Sequence, residues 1–98
     1  MREDFRKDYQ FFIDKWGIDA QMLMAVEEMS ELTKELCKLN RFKDNNEKSK
    51  EIINNIKEEI ADVINMAEQL EYYFGEQDIE KIRKEKIERT LKRIEGGK

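Results

Sequence analysis

Apolar residues recur every three or four positions along most of this chain, the spacing of amphipathic helices rather than strands. Phe5, Tyr9, Phe12, Ile13 and Trp16 predict a first helix over Arg2 to Trp16. Gly17 fits a left-handed helix end, and Asp19 a new N-cap. A second helix is predicted from about Ala20 to Asn40, roughly 31 Å long at 1.5 Å per residue. Its apolar face carries Met22, Ala25, Met29, Leu32 and Leu36. The polar stretch Arg41 to Asn46 reads as a mobile loop anchored only by Phe42. A third helix runs from about Glu47 to Phe74, with Ile56, Ile60, Val63, Ala67, Leu70 and Phe74 on its apolar face. Gly75 ends it, and Asp78 is placed to cap a fourth helix reaching about Ile94. The expectation is an all-α bundle of four helices forming a single domain, residues 1–98.

Composition narrows the chemistry. Charged residues make up 43% of the chain, and it contains neither histidine nor proline. Catalysis by Ser-His or Cys-His pairs and metal binding by imidazole are excluded. Glycines stand only at 17, 75, 96 and 97, so no phosphate-binding glycine loop can be written. Cys37 has no disulfide partner within the chain, and its place in a helical pattern predicts a buried or half-buried thiol. The longest uncharged stretch, Ala20 to Val26, is far short of the roughly 20 residues that span a bilayer. No apolar leader opens the chain, which predicts a soluble, cytoplasmic protein without a membrane partner. Net charge is −4, unevenly spread: Lys81 to Lys98 carries +5, leaving −9 on residues 1–80. Such an acidic chain suits a cation better than a nucleic acid.

The second and third helices share a hexapeptide pattern. Residues 27–32 read Glu-Glu-Met-Ser-Glu-Leu, and residues 58–63 read Glu-Glu-Ile-Ala-Asp-Val. At about 100° per residue, Glu28 and Glu31 share one edge of the second helix's apolar face, and Glu59 and Asp62 the matching edge of the third. Antiparallel packing would bring four carboxylates together beside the core. Their mutual repulsion calls for a hard divalent cation with oxygen ligands, Mg²⁺ or Mn²⁺.

This pairing of Glu27-Glu28-x-x-Glu31 with Glu59-x-x-Asp62 resembles the EExxE…ExxD signature of the MazG-like, all-α nucleoside triphosphate pyrophosphohydrolases. The resemblance covers most of the chain. It implies that Glu28, Glu31, Glu59 and Asp62 hold Mg²⁺, and that a nucleoside triphosphate is hydrolysed to monophosphate and pyrophosphate. It also implies that aromatic residues of the first helix, Phe12 and Trp16, stack on the base, with Gln21, Met24 or Asn65 available to line the pocket. Lys86 to Thr90 matches the family's Lys-x-x-x-Asn pattern except for threonine at 90. Lys86 is thereby implied as a phosphate ligand, with Arg89 and Arg93 on the same side of the last helix. Glu27 and Glu58, each beside a ligand, are candidates for the catalytic base or plain surface carboxylates. Consecutive aromatics at Tyr72, Tyr73 and Phe74 cannot all face one core, so a homotetramer or homodimer is expected, as the resemblance also implies. The competing reading is a non-catalytic helical interaction module, or a metal-responsive regulator, with the same ions and no turnover.

Overall fold

A computed structural model describes residues 2–97 and contains helices and turns only among them. Four helices follow one another: α1 Arg6–Trp16, α2 Ile18–Phe42, α3 Asn46–Phe74 and α4 Glu76–Glu95. The all-α prediction holds. None of these helices is long and apolar enough to cross a membrane.

The helix ends differ from expectation for identifiable reasons. α1 starts at Arg6 because the Asp4 carboxylate accepts the Arg6 N–H at 3.0 Å and holds the preceding residues out of the helix. Gly17 adopts φ +87°, a value only glycine takes without strain, so α2 starts at Ile18 with Asp19 in its first turn rather than at the cap. Gly75, at φ +124°, lets α4 begin at Glu76; Asp78 again lies in the first turn. The loop predicted at 41–46 shrinks to the turn Lys43–Asn45. It is pinned on both sides, by the Asn45 side chain accepting from Lys48 N–H at 3.1 Å and by Ser49 Oγ donating to the Phe42 carbonyl at 2.8 Å.

α2 and α3 pack as a long antiparallel pair, and α1 lies across both at one end. The face that α2 turns to α3 is not the one its apolar pattern suggested. Gln21, Ala25 and Glu35 are buried there and Leu32 is half-buried, whereas Met22, Met29 and Leu36 are exposed. Cys37 sits on the same outer side and is exposed, not buried. On α3, Ile52 and Ile56 are buried, but Ile60, Ala67 and Phe74 are exposed.

Polar layers explain the shift. Gln21 Nε2 donates to Gln69 Oε1 at 2.9 Å, and Asn55 Nδ2 donates to Glu35 Oε1 at 3.2 Å. Between these two layers stands Glu28 beside Asp62. Each layer is seven residues from the next on both helices, running in opposite directions, so a polar group returns to the interface every two turns. Lys38 closes the outermost layer, its Nζ 3.3 Å from Glu35 Oε2.

α4 contributes little to this body. It packs only against α3, where Ile79 shares a recess with Ile64, Ala67 and Leu70, and reaches α1 through one ion pair, Glu76 with Arg6 at 3.0 Å; from Glu80 to Gly97 every residue is exposed. The radius of gyration is 17.0 Å, against about 13 Å for a compact chain of this length. The core is correspondingly thin, with Tyr9, Ile13, Ala25, Ile52 and Ile56 its only buried apolar residues among those described.

Candidate functional site

Glu28 on α2 and Glu59 and Asp62 on α3 each offer one carboxylate oxygen, and the three oxygens lie within 4.8 Å of one another. Spacing by three puts Glu59 and Asp62 on one side of α3, and antiparallel packing sets Glu28 against them. Glu28 and Glu59 are half-buried and Asp62 is exposed. Glu59 Oε2 is buried without a hydrogen-bond partner. Among the described residues, none of the three forms an ion pair with lysine or arginine.

This arrangement is costly without a counter-charge. Burial, then the charges of Asp62 and Glu59, raise the Glu28 carboxyl above the ordinary glutamate range. Burial, then the charges of Asp62, Glu31 and Glu35, raise Glu59 likewise. Oxygen donors, clustered negative charge and an orphaned buried oxygen together suit a hard divalent cation. Glu31 lies outside the three-oxygen group and is exposed, though its charge reaches Glu59.

A groove of about 660 Å³ opens next to these carboxylates. Phe12 and Trp16 form its α1 wall, with ring centroids 5.8 Å apart, and Trp16 is 55% exposed. Phe5 and Asp8 also line it, with Ala20, Gln21 and Met24 of α2 and Asn65, Met66 and Gln69 of α3. Met24 precedes Glu28 by four residues, and Asp62 precedes Asn65 and Met66 by three and four. Glu28 and Asp62 therefore stand one helical turn from the groove, about 5.4 Å along each axis, and Glu59 nearly a turn further on α3. Tyr9 lines the groove too, its hydroxyl donating to Glu68 Oε1 at 2.7 Å; burial and that bond raise its pKa.

The structure thus brings together Glu28, Glu59, Asp62, Phe12 and Trp16, together with Gln21, Met24 and Asn65. Glu27 and Glu58 are exposed and lie outside the three-oxygen group. Lys86 and Arg89 are exposed on the projecting part of α4, form no ion pair among the described residues, and line neither the groove nor the carboxylate group within one chain. Gln69, Met66 and Tyr9 were not legible as site residues. The seven-residue recurrence of Gln21, Glu28 and Glu35 was a readable signal for a polar seam, and Gln69 stands in the same step beyond Asp62.

The amide pair yields a direct test. Gln69→Leu leaves the buried Gln21 amide without its partner and should cost about 1–3 kcal/mol by chemical denaturation. Gln21→Leu combined with Gln69→Leu removes both amides and should recover most of that loss. A double variant as unstable as the two single losses combined would show that the amides do not act as a pair.

Comparison with protein-family models, with curated proteins and with solved structures gives no match.

Proposed function

We propose that this chain is a Mg²⁺-dependent, MazG-like nucleoside triphosphate pyrophosphohydrolase that works in the cytoplasm as a homo-oligomer. One observation carries the reading: a carboxylate cluster begins one turn, on two helices at once, from a groove walled by aromatic rings and floored by amides. A nucleotide has the same two ends, a flat base and a polyphosphate that travels with a divalent cation.

In this reading Glu28, Glu59 and Asp62 hold the ion, with Glu31 able to join from the exposed edge. Bound there, Mg²⁺ would offset phosphate charge and make water more acidic. Trp16 and Phe12 stack on the base, and Gln21, Gln69 and Asn65 offer donors and acceptors to its edge. A water oxygen bonds to the α-phosphorus, the bond from that phosphorus to the bridging oxygen breaks, and pyrophosphate leaves. Glu27 or Glu58 takes the proton. Lys86 and Arg89 stand away from the carboxylates of their own chain, so they would serve a site on a neighbouring subunit. The acidic body argues against nucleic acid as the partner.

The exposed Ile87, Leu91 and Ile94 of α4 favour a second reading, a helical interaction module whose metal response involves no turnover. Pyrophosphate release from a panel of nucleoside triphosphates, with and without Mg²⁺, separates the two. Trp16 is the single tryptophan, so its fluorescence reports groove occupancy without interference. Magnesium-dependent pyrophosphate release with quenching by substrate is expected. Trp16→Ala should raise KM by about tenfold, the scale of one lost stacking contact. Absence of pyrophosphate across the panel would leave the interaction module.

A further inference from the structure

We propose that Asp8 selects the base at this site, so that the groove takes nucleoside triphosphates whose base bears an exocyclic amine (adenine, cytosine or guanine) over those of uracil and thymine. The inference rests on the nucleotide reading above and names the substrate class within it.

Of the side chains that line the groove, only Asp8 is charged. It stands one turn before Phe12 on α1, is exposed, and forms no ion pair among the described residues. Its place in the first turn of α1 steadies the negative charge without a partner. The neighbouring Tyr9 bonds Glu68, and Glu68 adjoins Gln69 in the chain, so Asp8 belongs to the Gln69 end of the groove. Gln69 lies seven residues past Asp62, about 10.5 Å along the axis of α3. A nucleotide whose phosphates meet the carboxylate cluster therefore carries its base toward Asp8. Asp8 also enforces that direction, because it repels a polyphosphate.

The amides of the groove cannot choose between bases. Gln69 is 2% exposed and Gln21 is 6% exposed, and the bond from Gln21 Nε2 to Gln69 Oε1 joins them. That bond leaves Gln21 Oε1 and the N–H groups of Gln69 Nε2 for a ligand. Each carboxamide holds a donor and an acceptor, and the two can turn over together and keep their bond reversed. Asn65, also in the lining, has the same freedom. Such groups hold any edge that sets a donor beside an acceptor, as all five bases do.

A carboxylate only accepts. An exocyclic amine carries two N–H groups, one for Asp8 and one for an amide oxygen. Uracil and thymine have no amine and hold their ring N–H between two carbonyl oxygens, which a carboxylate repels. Asp8 thus attracts one class and rejects the other, and discrimination needs both.

The test uses the α,β-imido analogues of dATP, dCTP, dGTP, dUTP and dTTP with Mg²⁺, whose α–β bridge resists hydrolysis, and reads Trp16 quenching. The wild type should bind the three amine-bearing analogues between about fivefold and about hundredfold more tightly than the other two. Asp8→Asn, a change at an exposed position, supplies a donor as well as an acceptor. It should bring that ratio below about threefold, chiefly by tightening dUTP and dTTP binding, with helical ellipticity unchanged. Equal binding of all five by the wild type would overturn the proposal and leave the nucleotide site standing. A preference that persists in Asp8→Asn would overturn the role of Asp8. Quenching by none of the five would overturn the nucleotide reading itself, and this inference with it.

Discussion

Glu28→Gln, Glu59→Gln and Asp62→Asn are each expected to cut pyrophosphate release by about two orders of magnitude or more, the scale on which removing one charge-stabilising group registers. The metal-free protein should meanwhile keep or gain stability. In the free chain these carboxylates repel one another, and Glu59 Oε2 is buried with no partner, so an amide removes an unfavourable charge. Loss of activity with a raised melting temperature is a combination that structural damage cannot produce. Glu31→Gln should do less, since its carboxylate stands outside the group of three. Chelation should abolish turnover of the wild type, and Mg²⁺ or Mn²⁺ should restore it; undiminished turnover in excess chelator would sink the metal assignment.

The same carboxylates set a pH dependence whose sign is fixed. Glu28 and Glu59 have carboxyls raised in the fold, by burial first and by neighbouring charge second. A raised carboxyl stabilises the fold while protonated, and that contribution is lost as pH rises through its folded value. The melting temperature of the metal-free chain should therefore carry a decline from about pH 4.5 upward, and divalent cation should offset it. Glu35 acts in the opposite sense. Burial alone would raise it, but hydrogen bonds from Asn55 and Lys38 outweigh burial and lower it. Its contribution is present above the ordinary glutamate value and lost on acidification, with or without metal. Glu35→Gln should remove that acid-side loss and leave the metal-dependent decline in place.

Ile56→Ala is expected to cost about 2–4 kcal/mol, enough to lower the melting temperature between about 10 and 30 °C. Ile56 is one of only five buried apolar residues described, and no side chain in the chain's described part is fully enclosed. With so thin a core, one cavity removes a large share of the total stability of a small domain. Ile60, four residues on, is 41% exposed, and Ile60→Ala should cost under about 1 kcal/mol in the dissociated chain. Equal losses at the two positions, measured by thermal denaturation at low protein concentration, would show that the burial order is wrong.

Local residue chemistry was sufficient for the helices and for the meeting of Glu28, Glu59 and Asp62 across α2 and α3, though not for Glu31, which stands outside that group. Gly17 and Gly75 break the 3.6-residue pattern at two of its three interruptions, and an acid pattern repeated on antiparallel neighbours sets Glu28 against Glu59 and Asp62. Phe12 and Trp16, one turn apart on α1, could likewise be read as a pair. Which arc of α2 would be buried was not legible. Its apolar residues span more than half the circumference, so Met22, Met29 and Leu36 satisfied a helical pattern as well as Ala25 and Leu32 did. Only the tertiary structure chose, and it chose the arc holding Gln21, Glu28 and Glu35. Those side chains find partners across the helix pair in Gln69, Asp62 and Asn55, and a buried polar group's cost depends on what stands opposite it. Periodicity measures how apolar a face is; it carries no information about the partner that satisfies a polar one.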